Sequence, residues 1–82
     1  MQVQIRLVAG LSQLAGRPRL TMHLDEGATI DDLLHHLAAE HPALEPGLPS
    51  ALPVLAGAHA RRDQRLNDGD EVSLLSPVAG GS

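Results

Sequence analysis

The carboxyl-terminal residues are the part of this sequence whose types and order could take part in a reaction. Residues 74–82 run Leu-Leu-Ser-Pro-Val-Ala-Gly-Gly-Ser, which indicates the end of a buried strand, a break at the proline and then a tail of small side chains. Gly80 and Gly81 have no Cβ, so their backbone fits a channel too narrow for other residues and can lie close to a reactive ligand. Such a backbone would suit a reaction in which the carbonyl of the tail is the reacting group.

The other polar residues do not suggest a catalytic or metal site. His35 and His36 are adjacent and would point about 100° apart on a helix. The five histidines include no His-x-x-x-His pair, which argues against a metal site. Asp31 and Asp32 are also adjacent and diverge in the same way, so they do not form a general acid and base pair. The sequence has no cysteine, so any sulfur that it handles must come from another molecule.

Two segments near the end of the chain resemble the ubiquitin-like sulfur carriers of the MoaD/ThiS family, most of all the small subunit of molybdopterin synthase. The first is Asp68-Gly69-Asp70-Glu71-Val72, and the second is Ser76-Pro77-Val78-Ala79-Gly80-Gly81. The resemblance implies that Gly81 is the reacting residue. In this family a partner enzyme adenylates the glycine carboxylate with ATP, and sulfide from a persulfide donor displaces AMP to leave a thiocarboxylate. The chain would then be a carrier without catalysis of its own, and it would bind no cofactor.

The same resemblance implies partners that hold the tail. The residues that would bind them are Leu75, Pro77, Val78, Ala79 and Gly80. The partners would be a ubiquitin-activating-type adenylating enzyme and the molybdopterin synthase large subunit, in which the thiocarboxylate sulfurates cyclic pyranopterin monophosphate. Two alternatives stay open at this point. One is a sulfur carrier for cysteine, thiamin or secondary-metabolite biosynthesis, and the other is a ubiquitin-like protein modifier or interaction domain.

The sequence departs from the family pattern in two places. The family ends at the diglycine, whereas Ser82 follows Gly81 here. Ser82 is then either removed, for example by a processing metalloprotease, or foreign to the natural chain, or a barrier to carrying sulfur. The second departure is Leu74-Leu75, where molybdopterin synthase small subunits often have two aromatic residues.

Size, charge and composition limit what the chain can do alone. Its 82 residues predict one domain with a small core and no deep pocket, which favours action on or inside partner proteins. The net charge of −4 and the absence of aromatic residues argue against nucleic-acid binding, because neither attraction to phosphates nor base stacking is available. No signal peptide or membrane-length apolar run is recognisable, so we expect a cytoplasmic protein that does not bind membranes.

The spacing of apolar residues predicts the elements that position the tail. Residues 1–8 and 19–24 alternate between apolar and polar side chains, which predicts two strands joined as an antiparallel hairpin. Between them, Leu11 and Leu14 are expected to cover the edge of the core from a turn of helix. Apolar residues at positions 30, 33, 34, 37 and 38 have the spacing of an amphipathic helix. Thr29 would cap that helix, which should end near His41 because Pro42 follows.

The second half of the chain completes a recognisable order of elements. Residues 42–53 contain four of the six prolines and predict a loop. Residues 52–56 and 58–61 predict two short strands, and residues 72–75 predict a final strand beside the first one. This order is that of an α+β, β-grasp (ubiquitin-like) fold, with a mixed sheet of about four to five strands and one main helix on one face. Residues 1–76 would form the single domain, and residues 77–82 a flexible diglycine tail.

Overall fold

The fold is built on a five-stranded sheet. The computed structural model describes residues 1–76 of the chain. Its elements are β1 (Gln2–Leu7), α1 (Gly10–Ala15), β2 (Arg19–His23), α2 (Ile30–Glu40), a 3₁₀ helix (Pro42–Ser50), β3 (Leu52–Leu55), β4 (Ala58–His59) and β5 (Glu71–Leu75). The strand order across the sheet is β2-β1-β5-β3-β4. Within the described range, none of the helices has the length and apolar character needed to cross a lipid bilayer.

β1 and β2 form the hairpin that the alternating pattern predicts. Val3, Ile5 and Leu7 are at most 3% exposed, while the residues between them are not buried. In the antiparallel register Val3 lies opposite Met22, and Ile5 lies opposite Leu20. The apolar side chains of both strands therefore meet on the core face of the sheet, where cross-strand pairs stabilise it.

β5 is the central strand of the sheet, as the sequence predicts. It runs parallel to β1 on one side and antiparallel to β3 on the other. Val72 and Leu74 are fully buried. A strand with bonded neighbours on both sides is fixed by two hydrogen-bond ladders, so the chain that continues from β5 starts from a rigid base.

α2 begins and ends where the sequence predicts. The Thr29 hydroxyl accepts from the backbone N–H of Asp32 at 3.2 Å, and the Asp32 carboxylate accepts from the backbone N–H of Thr29 at 3.0 Å, which is a capping box. The Asp32 carboxylate also accepts from the Thr29 hydroxyl at 3.2 Å. The hydrogen bonds that the Thr29 backbone N–H and hydroxyl donate to this carboxylate, with a smaller effect from His36 and His35, hold the pKa of Asp32 below its ordinary value. The apolar stripe of the helix packs into the core through Ile30, Leu33, Leu34 and Leu37.

The prediction of a loop over residues 42–53 is wrong for most of that segment. Pro42 to Ser50 form a 3₁₀ helix, in which Leu44 is fully buried and Leu48 is 5% exposed. Proline lacks the N–H donor that an α-helix interior needs, so the prolines disfavour an α-helix without preventing short i→i+3 turns. Burial of the two leucines against the core holds this segment in place.

The prediction that both Leu11 and Leu14 cover the core is half right. Leu11 is fully buried, whereas Leu14 is 45% exposed. α1 has six residues and packs against the 3₁₀ helix at Gly47, where a Cβ would lie 2.8 Å from Leu11 Cδ2 and 3.4 Å from Leu14 Cδ1. Leu14 therefore lies at the margin of this contact, with much of its side chain in solvent.

Candidate functional site at the base of the tail

The base of the tail lies at the end of β5, between two strands that stop pairing there. On the β1 side, the backbone N–H of Val8 donates to the carbonyl of Leu74 at 3.1 Å, just past the last pair of that ladder. On the β3 side, the ladder ends with Leu52 opposite Leu75. Ser76 is the last described residue and lies beyond both ladders. The central strand thus carries the tail out at one end of the sheet, where the pairing of β5 with both neighbouring strands stops.

An apolar patch lies beside this point on the sheet face that is turned away from the core. Because side chains alternate along a strand and Val72 and Leu74 point into the core, Leu75 points to the opposite face. Its pairing partner Leu52 is 42% exposed, and Val54, two residues along β3, is half-buried. We call Leu52, Val54 and Leu75 the exit patch. Exposed apolar patches mark sites where proteins contact other molecules, so the exit patch is a candidate contact surface.

On the other side of Ser76, the chain between β1 and α1 turns with an unusual backbone. Ala9 has φ 55° and ψ −127°, and the backbone N–H of Leu11 donates to the carbonyl of Val8 at 3.3 Å. These values match the second residue of a type II′ turn, a position that glycine dominates because φ is positive. A residue with a Cβ in such a sparsely populated region costs on the order of 1–3 kcal/mol. Strain is therefore stored beside the base of the tail.

The acidic segment Asp68-Gly69-Asp70-Glu71-Val72 has a structural role. A carboxylate oxygen of Asp68 accepts from the backbone N–H of Gln2 at 2.7 Å, and one of Asp70 accepts from the backbone N–H of Asn67, also at 2.7 Å. Gly69 has φ 87°, and its N–H donates to the carbonyl of Gln2 at 2.8 Å. These bonds tie the start of β1 to the turn that precedes β5. The motif thus sets the register of the strand that carries the tail.

The structure describes one of the site residues predicted from the sequence. Leu75 lies in the exit patch, half-buried at the end of β5. The other predicted residues lie outside the described range, namely Pro77, Val78, Ala79, Gly80 and Gly81, together with Ser82. Sequence reasoning missed Leu52 and Val54, although both belong to a strand that it predicted. The missing information was the register that places Leu52 beside Leu75.

Several charged residues outside the tail make exposed contacts. His35 Nδ1 lies 2.9 Å from the carbonyl oxygen of Asp31 in the preceding turn of α2. Arg62 donates to the Asp31 carboxylate at 3.1 Å, and Arg61 pairs with Asp63 at 3.2 Å. Among residues 1–76, no three His, Asp or Glu side chains are grouped closely enough to hold a metal ion. These pairs are solvent-exposed, and such pairs contribute little to stability.

Known proteins resemble this chain over nearly its whole length. Residues 5–81 match the ThiS family. The molybdopterin synthase sulfur carrier subunit of Chlamydomonas reinhardtii is 34% identical over an alignment of 83 positions including gaps, which covers 99% of this chain and 100% of that protein. Small archaeal modifier protein 1 of Haloferax volcanii is 34% identical over an alignment of 84 positions including gaps, which covers 93% of this chain and 97% of that protein. The crystal structure of SAMP1 from Haloferax volcanii superimposes with a TM-score of 0.90 at 29% identity, covering 99% of this chain and 100% of that one.

Proposed function

The chain belongs to the ThiS family, and from that premise we propose that it is a ubiquitin-like sulfur carrier whose reacting group is the carboxylate of Gly81. The observation that carries the proposal is the extent of the family match, which runs from β1 through β5 and on to Gly81. The match therefore includes the diglycine as well as the domain that carries it. Relatives named as sulfur carrier subunits support the same function.

The proposed chemistry has three steps, each performed with a partner. Hydrolysis of the amide bond between Gly81 and Ser82, by a processing metalloprotease, frees the Gly81 carboxylate. An adenylating enzyme of the ubiquitin-activating type then joins a carboxylate oxygen to the α-phosphate of ATP, and pyrophosphate leaves. In the third step the terminal sulfur of a persulfide donor attacks the carbonyl carbon, and AMP departs with the oxygen to leave an acyl disulfide. A thiol then attacks the donor sulfur of that disulfide, so the S–S bond breaks, the thiocarboxylate is released and the donor is left as a disulfide with the thiol. ATP is thus a substrate of the partner enzyme, and the carrier itself binds no cofactor.

The contribution of the described domain is to present the tail and to dock it. β5 lies at the centre of the sheet, so the base of the tail stays in place when the tail is drawn into a partner. The exit patch gives the partner an apolar surface beside that base, and Pro77 and Val78 continue it in sequence. Docking energy from such contacts can hold the Gly81 carbonyl in position for the chemical step.

We propose that the sulfur acceptor is the large subunit of molybdopterin synthase. The relatives named as molybdopterin synthase sulfur carrier subunits, from Chlamydomonas reinhardtii and Arabidopsis thaliana, support this choice. In this role the thiocarboxylate would deliver its sulfur to a pterin precursor held by the large subunit, and the carrier would return with a Gly81 carboxylate. The small chain would then act as a cosubstrate of the assembled enzyme.

A second candidate function uses the same activated glycine. Two relatives are named small archaeal modifier proteins, and one of them is as similar to this chain as the algal carrier subunit, at 34% identity. As a modifier, the chain would pass the Gly81 acyl group from AMP to an amine of a target protein instead of to sulfide. Both functions need a free Gly81 carboxylate, and they differ in the nucleophile that follows.

The proposed function is tested with two forms of the protein, one ending at Gly81 and one retaining Ser82. Each is incubated with the adenylating enzyme and ATP, and pyrophosphate release is measured before and after addition of a persulfide donor together with a thiol reductant. We expect adenylation of the form that ends at Gly81, and its conversion to a thiocarboxylate that is visible by intact mass. Equal adenylation of the form that retains Ser82 would contradict the proposal. Acyl transfer to protein amines in place of thiocarboxylate formation would favour the modifier.

A further inference from the structure

At two neighbouring positions beside the base of the tail, the residue type is not the one that the local backbone conformation favours. Ala9 adopts φ 55°, a conformation in which glycine is favoured. Gly10 opens α1 without a positive φ, at a helical position where alanine is favoured over glycine. Exchanging the two residue types would therefore suit the backbone better at both positions. Local preferences that a sequence breaks without a local gain are expected at functional sites.

The space that a side chain at position 10 would enter lies against Ser76. A Cβ built on Gly10 would be 3.8 Å from Ser76 Oγ, its nearest neighbour among the described residues outside its own helix and adjacent positions. A methyl group fits there at ordinary contact distance, but a longer side chain would extend towards the base of the tail. Gly10 itself is exposed.

Ser76 is also the first residue after β5 that is not paired with a neighbouring strand. β1 and β3 end their ladders with β5 at Leu74 and Leu75, so neither ladder extends to Ser76. The last contact from the β1 side is the bond from the Val8 N–H to the Leu74 carbonyl, immediately before the strained turn at Ala9. That turn takes the chain away from β5, and Gly10 then leaves the near side of Ser76 clear.

We infer that Gly10 is a positioning residue. Because it has no side chain, it leaves space beside Ser76, so that the adenylating enzyme can bind the chain from Ser76 onward. This inference rests on the proposed function, because it assumes that the tail enters a partner. The strained conformation of Ala9 directs the turn, and the absence of a side chain at Gly10 provides the clearance. A side chain at position 10 acts on the reaction only through Ser76 and the residues that follow it.

The inference is tested by a graded series at position 10 in the protein that ends at Gly81. We expect Gly10→Ala to change adenylation little and Gly10→Leu to lower kcat/KM by about tenfold, with the change in KM and not in kcat, because access and not chemistry is affected. Gln13→Leu places the same side chain on an exposed position of α1 and should leave KM unchanged. Ser76→Gly should restore part of the loss in the Gly10→Leu protein.

Thermal unfolding separates this positioning role from a merely structural one. Leucine is a better helix former than glycine, so Gly10→Leu should not lower the melting temperature. Ala9→Gly should raise the melting temperature by relieving the strained φ. An unchanged KM in Gly10→Leu, while the parent protein is adenylated normally, would overturn the inference. Failure of the parent protein to be adenylated at all would instead refute the proposed function.

Discussion

Replacing Gly81 with alanine, in the protein that ends at residue 81, is expected to slow adenylation severely. The new Cβ lies on the reacting residue itself, where the active-site channel must be narrow enough to bring the carboxylate to the α-phosphate of ATP. A displacement of about 1 Å at the reacting atoms can reduce the rate on the order of 10²-fold. The measurement is the initial rate of pyrophosphate release at saturating ATP.

The matched control for this change is Ala39→Ser, a substitution of similar size on the exposed side of α2. It should leave the rate at the parent value. Ala39→Ser should show the melting temperature of the parent protein, because Ala39 is exposed. We expect the same of Gly81→Ala, because the sequence predicts that residue 81 belongs to the tail and not to the domain. Adenylation of the Gly81→Ala protein at the parental rate would mean that the reacting glycine is not threaded through a narrow channel.

Replacing Leu37 with alanine is expected to cause a large loss of stability. Leu37 is fully buried in the core beneath the sheet. Truncating a buried leucine removes its transfer free energy and leaves a cavity, so the free energy of unfolding should fall by about 2–5 kcal/mol. Urea unfolding followed by circular dichroism measures this change, provided that the slope of the transition stays constant.

Leu14→Ala is the control for the stability prediction, because the same atoms are removed from a side chain that is 45% exposed. Its effect should stay below about 1 kcal/mol, as for most surface substitutions. Losses below about 1 kcal/mol in both variants would mean that the leucine stripe of α2 is not a core element.

Much of the fold could be predicted because it follows from local patterns. The alternation in β1 and β2 reports which residues face the core, and the 3.6-residue spacing in α2 reports the same for the helix. Thr29 marks the start of α2 through a capping box that the structure contains. The apolar run of residues 72–75 predicts the central place of β5, and the structure shows that Val72 and Leu74 are the residues that it buries.

The errors arose where tertiary contacts override the local signal. The prolines at positions 42, 46 and 49 favoured the prediction of a loop, but the segment is a 3₁₀ helix that is stabilised by burial of Leu44 and Leu48. Leu14 follows the helical spacing, but α1 is too short to bury it. The strained φ of Ala9 was not recognisable, because alanine gives no sign of a positive φ. The exit patch depends on strand register, which places Leu52 next to Leu75 only in the folded sheet.

The predicted chemistry itself falls on residues 77–82, outside the described range. The sequence motif and the family match to Gly81 support that part of the account, and the structure of residues 1–76 supplies the strand that carries it. The acidic segment links the diglycine to the folded domain. Asp68 and Asp70 fix the turn before β5, and the two glycines follow that strand in the sequence.

The intact mass of the protein purified from its own cells tests the central claim most directly. The account predicts a species that has lost Ser82, and a fraction of it in which one oxygen of the Gly81 carboxylate is replaced by sulfur. Treatment with an alkylating reagent should shift only that fraction, because a thiocarboxylate is nucleophilic at sulfur and the chain has no cysteine. A population that retains Ser82 throughout, with no alkylated species, would contradict the proposal that this chain carries sulfur on Gly81.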